Sequence, residues 1–373
     1  MDKKRIVITG LGIISSVGIG KEAFTENIFK GVSGIKPITS FDTAPFKVKD
    51  AGEISNFAPE AILGPKGLRT LDRSIKLVAS SAKLALDDSG LEITEANSRD
   101  TGIAIGTTFG SLSSICDFDK EALTEGVRYV NPALFPNTVI NSPASQASIK
   151  FNIKGFNITV SSGFSASLDA LNYALDALRN DRAKIALCGG VEEFCIQEFL
   201  GFYKAGCLTD TRGIVLGEGA GILILEELNA ALARKAKIYA ELLGFGSAIQ
   251  DLKKSMQLSL EEALLTPEKI DYISSAANSA EEFGVSEAKA IEELFGEKAK
   301  TIPVSSIKPL VGELFSASGS LQVAAAISAL EKQAVPPILL NQAKASKIEN
   351  ILINAAGKTG SNSSLIISKF KGY

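Results

Sequence analysis

Residues 158–171 read ITVSSGFSASLDAL. A β-branched run gives way to a small-residue turn and then to an apolar helical rhythm, which predicts strand, bend and helix in that order. Such a bend is a place where α/β enzymes hold a nucleophile, because it exposes one side chain beside a helix N-terminus. The bend residue is Phe164, and a benzyl group has no nucleophilic atom. Downstream, Leu168, Leu171, Leu175 and Leu178 form one apolar stripe, so a helix is expected over 168–179 with Ser165 or Ser167 as its cap.

Outward from this stretch, short continuous Val/Ile/Leu runs recur at 5–10, 102–107, 184–190 and 220–227. The same rhythm returns at 238–246, 270–274, 301–306, 350–355 and 365–370. Continuous rather than alternating runs indicate strands covered by helices on both faces, hence an α/β fold of two halves, each a mixed sheet, sharing one core. The boundary is expected at 229/230, giving halves 1–229 and 230–373 without a linker. SGSLQVAAAISALEKQ (318–333) is apolar almost all round and must be buried between layers. EEALLTPEKI (261–270) should carry a helix up to a stop at Pro267.

With 373 residues, 45% of them hydrophobic and 22% charged, the chain can bury a large core. Its net charge of −3 leaves no electrostatic footprint for nucleic acid or an anionic membrane. The start, MDKKRIVITGLGIISSVG, reads as strand and glycine turn, not as a secretion signal, and a cytoplasmic location is expected. The four cysteines, Cys116, Cys188, Cys195 and Cys207, form no CxxC and are expected as buried free thiols. Histidine is absent altogether. Ser-His-Asp, Cys-His and HExxH chemistries are thereby excluded, and neither a metal nor a cofactor is expected.

Five stretches, in order, resemble the β-ketoacyl synthase family of the thiolase fold over almost the whole chain. They are RIVITGLGIISSVG at the start, NPALFPNTVINSPASQASIKFNIKG (131–155), the bend, LGEGAGILILEE (216–227) and VSSIKPLVGELFSASG (304–319). The resemblance implies two βαβαβαββ halves in five layers, α-β-α-β-α, with dimerisation through strands near the bend. It also assigns positions. The family's acyl-accepting Cys falls on Phe164, its two catalytic His on Ala276 and Glu313, and its glycine-flanked gate Phe on Lys358. Lys308 matches the family's loop Lys, and Glu287 a Glu that pairs with it. The loop 207–219 and the connection after GFGSA (244–248) look short against the family pattern.

Within the family, the chain-length factor branch of type II polyketide synthases fits a chain that keeps the fold and loses the Cys. That resemblance implies a heterodimer with an active, cysteine-containing ketosynthase, and acyl carrier protein engaged mainly through that partner. Leu134 and Phe135 are then expected to insert toward the partner. Leu112, Ile115, Cys116 and Asp119, one face of a helix after the strand at 102–108, are expected at the end wall of a tunnel that sets polyketide chain length. Two other readings stay open: an enzyme with Ser161, Ser162 or Ser165 as nucleophile and Glu313 or Lys308 as base, and a scaffold binding acyl chains or carrier protein without a ketosynthase.

Overall fold

The computed structural model describes residues 3–208, 213–277, 281–341, 343, 347–357 and 360–372. Ten main strands build it: β1 (Ile6–Ser15), β2 (Thr101–Gly106), β3 (Asn157–Val160), β4 (Ile185–Glu192), β5 (Gly219–Glu227), β6 (Ala240–Ile249), β7 (Tyr272–Ser274), β8 (Val304–Ser305), β9 (Asn350–Ala355) and β10 (Ser361–Ser368). Their order is β8-β7-β9-β10-β6-β1-β5-β4-β2-β3. Each five-strand run repeats one topology: numbered within its own half, both read 3-2-4-5-1, and the two first strands, β1 and β6, meet in the middle. That seam is an antiparallel ladder of Ile6–Ile8 on Ala240–Leu242, with Arg5 and Glu241 ion-paired beside it at 2.6 Å.

The helices that matter for the site are α1 (Arg73–Ser89), α2 (Leu112–Thr124), α3 (Ser142–Lys150), α4 (Ala166–Arg179), α5 (Ile196–Lys204), α6 (Leu252–Ala263), α7 (Glu281–Phe295) and α8 (Ser318–Lys332). α4 and α8 pack on each other between the two sheet halves, α1 and α3 cover one outer face, and α6 and α7 the other. The result is the five-layered thiolase-like arrangement. Burial explains why the strand runs are continuous: all of β1 and β4 are buried, and α8 is buried from Ser318 to Leu330.

Three local expectations need correcting. The helix toward Pro267 ends at Ala263, because Leu264 adopts a left-handed cap (φ 55°) and Pro267 instead opens a short 3₁₀ turn. Ser165 occupies the N-cap of α4 but makes no capping hydrogen bond, its hydroxyl being taken by Asp169 at 2.8 Å. Of the four free thiols, Cys188 and Cys195 are buried, whereas Cys116 and Cys207 are only half-buried.

Candidate functional site

The bend leaving β3 is a 3₁₀ turn, Gly163–Ser165, made possible by Gly163 at φ 77°, where an L side chain would be strained. It aims the Phe164 ring into the molecule. The matching bend of the second half, Phe315–Ala317 before α8, also carries a phenylalanine, and the two rings meet edge to face with centroids 5.1 Å apart. The aromatic run continues inward: Phe315 stacks on Phe202 at 4.9 Å and meets Phe109 at 5.5 Å. On its other side the Phe164 ring lies against the Gly357 backbone, where a Cβ would come within 2.4 Å of it. The interior behind the bend is thus filled by phenylalanines.

Lys308, Glu313 and Ala276 converge beside this ring. Lys308 Nζ donates to Glu313 Oε2 at 2.9 Å and to the Ala276 carbonyl at 2.8 Å, and sits 5.9 Å from the Phe164 centroid. Glu313 Oε1 accepts from the Phe315 amide and the Ser318 hydroxyl. The expected Lys308–Glu287 pair is therefore corrected: the ion partner of Lys308 is Glu313. Glu287 is held elsewhere, accepting from Ser275 Oγ at 2.5 Å, from the amides of Ala276 and Ala277 at 3.1 Å and from Asn354 Nδ2 at 2.9 Å. It braces the strand end that carries Ala276.

The serines near the bend are gathered by a residue the sequence reading missed. Asp169 Oδ2 accepts from Ser162, from Ser165 and, at 3.2 Å, from Ser361, while Oδ1 accepts from Ser363 at 2.6 Å. Ser161 instead reaches the Thr108 carbonyl at 3.4 Å. Neither Glu313 nor Lys308 is the partner of any of these hydroxyls, so the serine-nucleophile arrangement is not assembled. The carboxylate clasp ties the bend to the start of β10. Its only sequence signal is the Ser-rich character of 161–167 and 361–364.

Lys358, expected at the gate, lies outside the described residues. Only Gln250 and Asp251 connect β6 to α6, and there a cavity of about 820 Å³ opens between the α6 N-terminus and α7, floored by Ala276, Glu287 and Gly357. Among the described residues no three Asp, Glu or Cys side chains converge as metal ligands. No described helix is long and apolar enough to cross a membrane.

The expected tunnel face lies on α2, none of whose residues is fully buried. Leu112, Ile115 and Cys116 are half-buried and Asp119 is exposed, so Asp119 stands apart from the other three. Leu134 and Phe135, on a 3₁₀ turn at Pro132–Thr138, are 38% and 57% exposed. Phe135 leans on Phe118 of α2 at 6.0 Å. Among the described residues β3 pairs only with β2, and its other edge carries no strand.

Comparison with known proteins matches residues 3–231 to the N-terminal domain of β-ketoacyl synthases and residues 246–341 to their C-terminal domain. The 3-oxoacyl-[acyl-carrier-protein] synthase 2 of Coxiella burnetii is 31% identical over 411 residues, covering 99% of each chain. That of Vibrio cholerae is 32% identical, covering 99% of this chain and all of its own. Among solved structures, the ishigamide ketosynthase/chain length factor superposes with a TM-score of 0.91 at 29% identity, covering 99% of this chain and 100% of its own. A type II polyketide ketosynthase in complex with its acyl-carrier protein does so with a TM-score of 0.87 at 25% identity, covering the same shares.

Proposed function

Because this chain belongs to the β-ketoacyl synthase family, we propose that it is a chain-length factor: a non-catalytic subunit that pairs with a cysteine-containing ketosynthase and shapes the tunnel for its growing polyketide chain. The observation that carries this reading is the bend. Phe164 occupies the position from which a nucleophile would act, and its ring is packed on Phe315 and Gly357. The neighbouring groups are equally committed, Lys308 to Glu313 and to the Ala276 carbonyl. Acyl transfer needs a nucleophile, a base and an oxyanion donor, and Phe164, the buried ion pair and Ala276 supply none in a position to react.

The fold is nonetheless complete, with its layers and seam intact, which favours a retained structural task. An open strand edge at β3 and the exposed Leu134 and Phe135 suit pairing with a second family member. On this reading residues 1–229 and 230–373 are the two duplicated halves, and acyl carrier protein reaches the complex mainly through the ketosynthase. The relatives named as synthases hold the competing expectation, an active enzyme.

Intact-mass analysis of the purified chain after incubation with acyl- and malonyl-carrier protein separates the two. No adduct is expected on the isolated chain, and condensation only after an active ketosynthase is added. A stable acyl adduct on any Ser or Cys would overturn the proposal.

A further inference from the structure

A second buried polar centre, apart from the bend, lies where α2, α5 and the end of β4 meet. Glu192 ends β4, Glu193 follows it, Glu198 sits in the first turn of α5, and Glu218 directly precedes β5; each is at most 3% exposed. Asp72, the N-cap of α1, borders them. Among the described residues Arg73 faces this group, and it is committed to Glu218 through Nε at 2.7 Å and Nη2 at 2.6 Å. Glu53 faces Arg73 and Lys76 faces Asp72 from the rim, while Cys195 lies between Glu193 and Glu198.

The remaining carboxyls differ in how they are satisfied. Glu192 accepts from the amides of Thr108 and Phe109 and from Ser316 Oγ. Glu193 accepts from the Ser113 amide at 2.9 Å. Both oxygens of Glu198 are buried without a hydrogen-bond partner. A buried carboxylate lacking donors and a cation takes up a proton instead of staying ionised. Burial first, and then the neighbouring carboxyls, push Glu198 well above the usual carboxylate range and Glu193 to about 8. Burial likewise raises Glu192 and Asp72, and lifts the Cys195 thiol to about 12, so that it stays neutral.

The N-terminus of α2 is tied to this cluster. Ser111 at its N-cap makes no capping bond; the ties are the Ser113 amide to Glu193 and the Ser114 hydroxyl to Asp72 at 3.2 Å. A single charge on Glu193 would suit a helix N-terminus. Two charges, on Glu193 and Glu198 beside Glu218, demand water. The wall that can yield to admit it is α2, which has no fully buried residue, whereas α5 is anchored by Phe199 at 1% exposure.

We propose that this cluster is a proton-operated latch on α2: with Glu193 and Glu198 neutral the first turn of the helix is seated, and loss of their protons releases it. The sign follows from linkage. Both groups hold protons more tightly in the seated state than in a hydrated one, so seating is fully favoured below the ordinary carboxylate value of 4.5, weakens as pH rises from there to about 8 through Glu193, and goes on weakening above that through Glu198.

Hydrogen–deuterium exchange of the full chain between about pH 7 and pH 9.5, corrected for intrinsic exchange, tests it. Protection of 112–118 should fall by up to about tenfold per pH unit for each proton released, while α8 stays protected. Glu198→Gln should flatten that dependence, and Glu193→Gln, the alternative should the first variant fold poorly, should reduce it. An unchanged pH dependence in the variants, no fall in the parent chain, or parallel loss across α8 would overturn the latch.

Discussion

Lys308 and Glu313 stand 2.9 Å apart with side chains 3% and 0% exposed, so their pairing offsets part of the cost of leaving water. Lys308→Met is expected to destabilise the chain by about 3–5 kcal/mol, because it removes the cation paired with the buried Glu313 carboxylate. Lys308→Met with Glu313→Leu should recover most of that, since a buried pair exchanged for apolar side chains is often neutral. Urea unfolding of the parent, the single and the double variant measures this; a double variant as damaged as the single would show that the pair is not coupled. Both residues were picked out from the sequence, but Lys308 was matched to Glu287. Chain spacing carries no record that Glu287 is already occupied by Ser275, two amides and Asn354. Asp169 went unnoticed for a related reason, since its serine partners come from segments at 162–165 and 361–363 that only the fold unites. Phe164 carries no nucleophilic atom. That it is one end of an aromatic stack through Phe315 and Phe202 depends on contacts between distant segments.

At the scale of elements, hydropathy located the ten main strands but misjudged their lengths. β10 begins at Ser361, whereas the apolar run begins at Leu365; Ser363 and Ser364 are buried there because Asp169, Asn354 and Ser255 satisfy their hydroxyls. A polar residue with its hydrogen bonds met can line a buried strand, and hydropathy alone misses it. At β8 the error is reversed, TIPVSS yielding only Val304–Ser305, with Pro303 just before it unable to donate to a ladder. The α2 face expected as a stripe is only partly buried: Leu112, Ile115 and Cys116 are half-buried and Asp119 is exposed. Leu112→Ala and Ile115→Ala should therefore cost the isolated chain about 1 kcal/mol or less. If α2 forms the end wall of the tunnel, each should also lengthen the product by about one two-carbon unit, and Leu112→Phe should shorten it. A buried methylene is worth roughly 0.8 kcal/mol, enough to shift a product ratio several-fold. Mass spectrometry of products from the reconstituted complex decides it; unchanged lengths would place the wall elsewhere.

For the molecule as a whole, the repeated 3-2-4-5-1 topology satisfies every strand edge at the central seam and leaves β3 open at one end. The stretch 127–135 also exposes apolar side chains, Val127, Tyr129, Leu134 and Phe135. Exposed apolar surface and an unpaired strand edge are liabilities for a lone chain, and an interface with a second subunit removes both problems together. An association through this end is expected to exceed the roughly 2,000 Å² at which interfaces become obligate. Co-expression with a cysteine-containing ketosynthase should accordingly raise the soluble yield sharply, by mass action on the folded state. Phe135→Asp gives the sharper test. Its ring touches Phe118 but is 57% exposed, so the substitution should change the stability of the isolated chain by only about 0.5 kcal/mol. In the complex it would bury an unpaired carboxylate, a change that costs far more than the lost contact. Native mass spectrometry after co-expression should then find the heterodimer depleted for Phe135→Asp while the chain itself stays folded. An intact heterodimer would move the interface away from this end of the sheet.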